Sequence, residues 1–472
     1  MLIIARFPTR RYPSFALCRS RPEVTYTATQ AAMPILVLIP MILCTVALFR
    51  DSAQKAFLNV YIPVFMLFPI YYYWKVAALP PIDMSEAALL PLGVAMVLTE
   101  LRRWKLSWMD ALMAVFIFSA WASNAFKGQS TAAIFGLFDA LCLAGIPYMA
   151  GKLLIEPNGG RTALIKRSVF LLFVASLLSS YEYRMGQNPF TLVFGRFFPG
   201  ELFAWKTQIR WGFGRVSGPF GQSELAGMVL FAGLVLALYL ALNHEWEPKF
   251  SKAPWLPFRK SSIILGTLGI TLLMTQARGP WIGCLLAIPI AIIGRARNVA
   301  RAALLFGTLC LVVGPIAMVS FQHYTDEPTS SAEQQTAQYR AHLMDNYLPV
   351  AEQGGLWGWG AQFPRVDGQG SIDNQYLFLA LTQGWAGLTA FVLLAAGALY
   401  HLIQAAGRSE VLRDRYFAYS LLGIMIGLLI TIYTVFLGNQ PYELFFLLLG
   451  WSQAIRTQPA EAPRFAFEHV YT

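Results

Sequence analysis

Charge is what this sequence has least of. Only 13% of its 472 residues are Asp, Glu, Lys or Arg, while 56% are hydrophobic, against about 25% charged residues in an ordinary soluble domain. That shortage excludes a soluble globular chain. Cysteine is also sparse: Cys44, Cys142, Cys284 and Cys310 lie inside apolar runs and Cys18 in the N-terminal arm, with no CxxC or other ligand spacing. Neither a disulfide framework nor a structural metal is expected. There is no internal repeat at a fixed period, and no inverted pair of interrupted apolar segments of the kind that marks many transporters.

What the chain has in abundance is long apolar runs, the raw material of membrane spans. They cover roughly residues 33–49, 57–74, 86–99, 107–124, 131–150, 163–181, 224–243, 261–276, 280–294, 302–320, 374–403, 416–437 and 441–455. The expectation is an all-α, polytopic membrane protein with about 12 to 13 transmembrane helices and one long periplasmic segment, residues 33–472 forming a single membrane domain. The formal charge of +11 invites a nucleic-acid reading, but the Lys and Arg fall in short clusters between apolar runs. Membrane topology accounts for them better.

When the runs alternate, seven basic breaks fall on one side: Arg50/Lys55, Arg102/Arg103/Lys105, Lys152/Arg161/Lys166/Arg167, Lys249/Lys252/Arg259/Lys260, Arg295/Arg297/Arg301, Arg408/Arg413/Arg415 and Arg456. This is the cytoplasmic side by the positive-inside rule. Residues 1–32, with Arg6, Arg10, Arg11, Arg19 and Arg21, disagree. Either the first run does not cross simply or the arm is not native; because Met33 opens that run, the expectation is that translation begins there and residues 1–32 are an upstream extension, and no small-residue cleavage site supports a signal peptide. The outer breaks include two long ones, 182–223 and 321–373. In the second, Tyr339, Leu343 and Tyr347 recur every four residues with Met344 and Leu348 beside them, which predicts an amphipathic helix lying on the membrane and ending at Gly354 or Gly355.

The residues that carry chemistry are the arginines on the side where arginine is unexpected. The first long outer break holds Arg184, Arg196, Lys206, Arg210 and Arg215, and Arg278 sits in a tight turn, Ala277 to Pro280, between two spans. A guanidinium so placed either snorkels to lipid phosphate or clamps a phosphate in a cavity, where its paired hydrogen bonds are about twice as strong as neutral ones. Trp357 and Trp359 suit either interface anchoring or stacking on sugar rings. Glu224, at the mouth of a span, is placed to pair with Arg215 or to shape an acceptor site. Asp139 is an intramembrane carboxylate and so a functional candidate by default, and His323 and His342 flank the outer helix as surface residues.

Four stretches resemble the O-antigen polymerase and O-antigen ligase superfamily. They are GRVSGPFGQSELAG (214–227), TQARGPWIG (275–283), YRAHLMDNYLPVAEQGGLWGWGAQF (339–363) and SIDNQYLFLALTQGWAGL (371–388). Their order matches over roughly residues 170–450. The resemblance implies a metal-independent glycosyltransferase of the inner membrane, active at the periplasmic face, with an undecaprenyl-pyrophosphate-linked oligosaccharide as donor and no cofactor. A chain-length regulator and a flippase would be its pathway partners. By motif, Arg215, Arg278 and Arg340 would hold the pyrophosphate, with Arg210 nearby; Asn374 and Tyr376 fall in the closing motif and are candidate acceptor contacts. At Asp373 ligases of the family carry a histidine. That aspartate either acts as general base on an acceptor hydroxyl or caps the helix starting at Asn374. The change favours a polymerase over a ligase; an exporter or flippase is the rival of a different class.

Overall fold

The computed structural model describes residues 34–76, 79–198, 206–250, 255, 257–327 and 332–455. The basic arm, the start at Met33, Cys18, Lys252 and Arg456 lie outside them. Each of the thirteen apolar runs contains a helix, although that in 57–74 stops at Leu67: α1 (Ile39–Arg50), α2 (Ile62–Leu67), α3 (Met84–Ala95), α4 (Trp108–Ala125), α5 (Ser130–Ala140), α6 (Arg161–Met185), α7 (Ser223–Leu242), α8 (Lys260–Met274), α9 (Arg278–Ile293) and α10 (Val299–Asp326), then, after α11 (Ala332–Gly354), α12 (Gln375–Arg408), α13 (Leu412–Thr431) and α14 (Asn439–Ala454). By length and composition, seven helical segments among the described residues suffice to cross a membrane, including Ser130–Asn158, which continues past α5; three apolar helices are shorter. Sheet among the described residues is confined to two hairpins, β1 (Tyr73–Trp74) with β2 (Ile82–Asp83) and β3 (Ile209–Arg210) with β4 (Phe213–Gly214). This is an all-α polytopic membrane protein.

Two helices mark the extremes of packing. α7 is apolar all round and buried along most of its length from Leu225 to Leu240, as a helix enclosed by others must be. α10 has no buried residue, and Leu304, Leu309, Leu311, Ile316 and Val319 are exposed. Such a surface suits acyl chains and would be untenable in water.

Small residues set the contact between α9 and α13. α9 and α13 cross where Gly283 faces Gly427: a Cβ on Gly283 would lie 2.9 Å from the Gly427 carbonyl oxygen, and one on Gly427 2.7 Å from that of Gly283. With Gly279 and Gly423 one turn away, each helix carries a small-xxx-small face that lets backbones meet without a hydrophobic driving force.

α12 is broken inside its apolar stretch at Gly384 (φ 67°, ψ −167°). A break in a span leaves backbone groups that water cannot satisfy there. The loop after α11 supplies the partners: Trp359 N donates to Leu381 O (2.8 Å), Gly360 N to Thr382 O (3.0 Å), Trp385 N to Gly355 O (3.3 Å) and Ala386 N to Leu356 O (3.0 Å). The fit admits no side chain, since a Cβ on Gly384 would stand 2.3 Å from Gly358 N.

α11 ends at Gly354, followed by Gly355 in the left-handed region (φ 64°). Its apolar stripe differs from expectation, because it faces protein. Leu343, Tyr347 and Ala351 are buried against Ile372, Leu377, Phe378 and Leu381. The two tyrosines have polar reasons to turn inward: Tyr339 Oη donates to Ser371 O (2.5 Å), and Tyr347 Oη donates to Gln369 O (2.8 Å) while accepting from Val366 N (3.1 Å). Burial raises the Tyr347 phenol above its ordinary pKa, keeping it a donor.

The ends of α6, α7, α9 and α13 that carry the basic breaks share one network. Arg161 binds Glu156 (2.7 Å) and Asp414 (2.5 Å) and lies 4.3 Å from the Phe417 ring centre. Arg413 pairs with Glu245 (2.7 Å), Arg295 donates to Leu242 O and Arg415 to Gly294 O.

Candidate functional site

The other ends of α6, α7 and α13 meet at a cavity of about 250 Å³. Its walls come from both long breaks: Lys206 to Gln208, Arg215 and Ser217, and Gly221 to Glu224 from the first; Arg340, Phe363, Arg365 and Gly370 to Asp373 from the second, with Phe378, Val435 and Phe436 closing it.

The first wall is a hairpin held from below. β3 and β4 turn through Trp211 and Gly212, both at positive φ (53° and 79°), the pattern that matches the strand twist in a two-residue turn. Its base is closed by Arg215 N donating to Gln208 O (2.8 Å). Under it lies Glu182, near the end of α6 and fully buried, which accepts from Ser217 N (2.9 Å), Ser217 Oγ (2.8 Å), Gly218 N (2.8 Å) and Thr207 Oγ1 (2.8 Å). Four donors on one carboxylate fix the loop on both sides of Arg215.

Arg215 is 6% exposed and extensively engaged: Nη1 donates to Gln208 Oε1 (2.6 Å), Nη2 to Glu224 Oε1 (2.6 Å) and Nε to Thr275 O (3.3 Å). The pairing of Glu224 with Arg215 anticipated from their spacing is present. On the opposite wall, Arg340 Nη2 stands 3.7 Å from Asp373 Oδ2, with both side chains about one-third exposed (32% and 34%). At that distance the contact is Coulombic and no hydrogen bond forms. Ser371 Oγ donates to Asp373 Oδ1 (2.8 Å).

The cap of α12 is Asn374, whose Oδ1 accepts from Leu377 N (3.1 Å). Asp373 therefore does not cap the helix, and its carboxylate is left to the cavity. Asn374, 3% exposed, is consumed by that cap, and Tyr376 by a bond from its Oη to Leu429 O (2.9 Å); neither lines the cavity. Trp357 packs edge-on against Phe118 and Phe126, and Trp359 Nε1 donates to Val350 O (2.8 Å) under Lys127. Both lie outside the cavity wall. So does Arg210, which donates to Gln276 O (3.0 Å).

Arg278 is the first residue of α9, exposed and outside the cavity. The turn before it is Thr275 to Ala277, with Gln276 at φ 50°, and Pro280 falls within the first helical turn, where proline costs little. His323 is exposed beside Glu327 and His342 is exposed on α11. Among the described residues no group of His, Cys, Asp and Glu is arranged to hold a metal.

Sequence reasoning missed Arg365 and Glu182. Arg365 lies in an irregular loop without periodicity; Glu182 closes a span, and its partners lie 25 to 36 residues ahead.

Fold and site together define a polytopic membrane protein with a cation-rich cavity at one end of its bundle. Residues 263–392 match the model of a family described as O-antigen ligase. That stretch, from α8 into α12, is similar to the O-antigen polymerase and ligase superfamily, whose members are glycosyltransferase-type membrane enzymes. The matched stretch contains Arg278, Arg340, Arg365 and Asp373. A search of curated proteins finds no match.

Proposed function

We propose that this protein is a polymerase that joins undecaprenyl-pyrophosphate-linked oligosaccharide units at the periplasmic face of the bacterial inner membrane. The observation that supports it is the convergence, in one cavity, of the two long breaks assigned to the outer side, bringing Arg340 and Arg365 to Asp373 and Glu224. Chemistry of that class needs cationic groups for a departing pyrophosphate and a carboxylate for an incoming hydroxyl.

Asp373 is the base. The acceptor hydroxyl gives its proton to Asp373 as its oxygen bonds to the anomeric carbon of the donor sugar. The bond from that carbon to the pyrophosphate oxygen breaks, and the electron pair leaves with the pyrophosphate, whose charge the guanidiniums stabilise. Ser371 holds Oδ1, leaving Oδ2 for the proton. Sugar contacts along the mouth would orient the two lipids, the proximity contribution to rate. The chemistry calls for no metal, and a chain-length regulator and a flippase would work beside the enzyme.

A ligase passing finished glycan to another acceptor is the second reading, favoured by the description of the matching family. Asp373, where the resemblance puts a ligase histidine, favours the polymerase. Deleting the gene and sizing the lipid-linked glycans separates them. Single lipid-linked units, rescued by the intact protein and not by Asp373→Asn, are expected. Accumulated long lipid-linked polymer would make it a ligase, and an unchanged profile would remove both readings.

A further inference from the structure

We infer that the anion in this cavity is gripped by Arg340, Arg365 and Lys206, and that Arg215 is a positioning residue for Glu224. The inference rests on the pyrophosphate-donor reading above and concerns which cations meet the pyrophosphate.

A guanidinium has five N–H donors and no acceptor. Arg215 directs its Nε and both terminal nitrogens at protein oxygens and is 6% exposed. Three of its five N–H groups are so taken, and swinging the fork round to grip a phosphate bidentately would pull it off Glu224, leaving a partly buried carboxylate without its counter-charge, which is costly. Arg340 is in the opposite state. Its Nε is buried without a hydrogen-bond partner among the described residues, and Nη2 reaches Asp373 only at 3.7 Å. A buried donor lacking an acceptor costs free energy until something supplies one.

Lys206 and Arg365 line the same cavity from opposite walls and are exposed. Among the described residues neither makes a hydrogen bond or an ion pair. Four cations against two carboxylates, Glu224 and Asp373, leave the cavity two positive charges in excess. A pyrophosphate diester carries two negative ones. The types suit the task, since Arg340 and Arg365 offer planar forks for phosphate oxygens and Lys206 a mobile point charge.

This division also separates the carboxylates. Glu224 stays locked to Arg215, whereas an anion taking Arg340 would loosen its contact with Asp373. The donor would then liberate the base as it binds.

The test is calorimetric titration of the purified full-length protein with inorganic pyrophosphate, alongside steady-state transfer with the lipid-linked donor. Arg365→Ala and Lys206→Ala should each weaken pyrophosphate binding about tenfold or more, and Arg365→Lys should recover most of it. Arg215→Lys should bind pyrophosphate within about threefold of the intact protein, with kcat lowered and donor KM little changed. Gln208→Ala, which loosens Arg215 without removing it, should show the same split and serves if Arg215→Lys fails to fold. Intact-like binding by both Arg365→Ala and Lys206→Ala, or loss of binding in Arg215→Lys or Gln208→Ala, would overturn the cradle alone. If the intact protein binds no pyrophosphate, the donor reading falls and takes the cradle with it.

Discussion

The two ends of this bundle use arginine in opposite ways. At the end of the basic breaks, Arg161 is shared by Glu156 and Asp414 and stacked on Phe417, while Arg295 and Arg415 close off the C-terminal carbonyls of α7 and α9. At the cavity end, Arg340 meets one carboxylate loosely, and Arg365 and Lys206 line the cavity without a hydrogen bond or ion pair among the described residues. Cations whose charge is consumed by acids and helix ends serve the fold. Cations kept short of partners beside an enclosed space are held for something that arrives.

The sharpest way to break this contrast is Asp373→Asn, which keeps shape and removes the proposed base. Transfer should fall by roughly 10²- to 10⁴-fold with the thermal unfolding midpoint unchanged, measured as polymer formed per enzyme. At the opposite end, Arg161→Ala should cost about 3 kcal/mol of stability by stranding Glu156 and Asp414, read as a lowered unfolding midpoint in detergent, with donor KM unaffected. A comparable loss, about 2 to 4 kcal/mol, is expected for Gly384→Val, which forces a branched side chain into a left-handed position against Gly358 N. Glu182→Gln should lower transfer about tenfold, because the loop carrying Arg215 loses a charged acceptor; an unchanged rate would mean that the loop holds its shape without it. The smallest effect should come from Arg278→Ala, less than about tenfold on transfer if only groups lining the cavity meet the reacting atoms. A loss matching that of Asp373→Asn would bring α9 into the site and erase the boundary drawn here.

The fold was legible where periodicity and length carry it. All thirteen apolar runs contain a helix, because a run of that length in lipid has few alternatives for its backbone, though 57–74 leaves its helix at Leu67 and seven helical segments are long enough to span. The helix around Tyr339, Leu343 and Tyr347 was legible too, but not what it faces: the same stripe serves a bilayer or a protein groove, and the tyrosine acceptors are carbonyls about 20 to 30 residues on. Arg215 with Glu224 could be read from spacing, since a short turn brings them together. That three of the five Arg215 donors are already held could not, because Gln208 and the Thr275 carbonyl reach it through tertiary structure. Asp373 stood beside Asn374, and only the backbone geometry decides which of two adjacent cap-formers caps the helix. Arg365 gave no signal, since an irregular loop has no pattern for it to interrupt.

The insertion of residues 355–360 into the break of α12 reaches beyond the repair of a helix. Backbone hydrogen bonds there tie Trp359 and Gly360 to Leu381 and Thr382, so the chain between them is a ring closed by a hydrogen-bonded clasp. Arg365 and Asp373 both sit on that ring. Its entropy is already spent in closure, so the two cannot drift independently as they would on an open loop. Whatever opens the clasp releases the proposed anion ligand and the proposed base in one event, and whatever closes it delivers them as a matched pair.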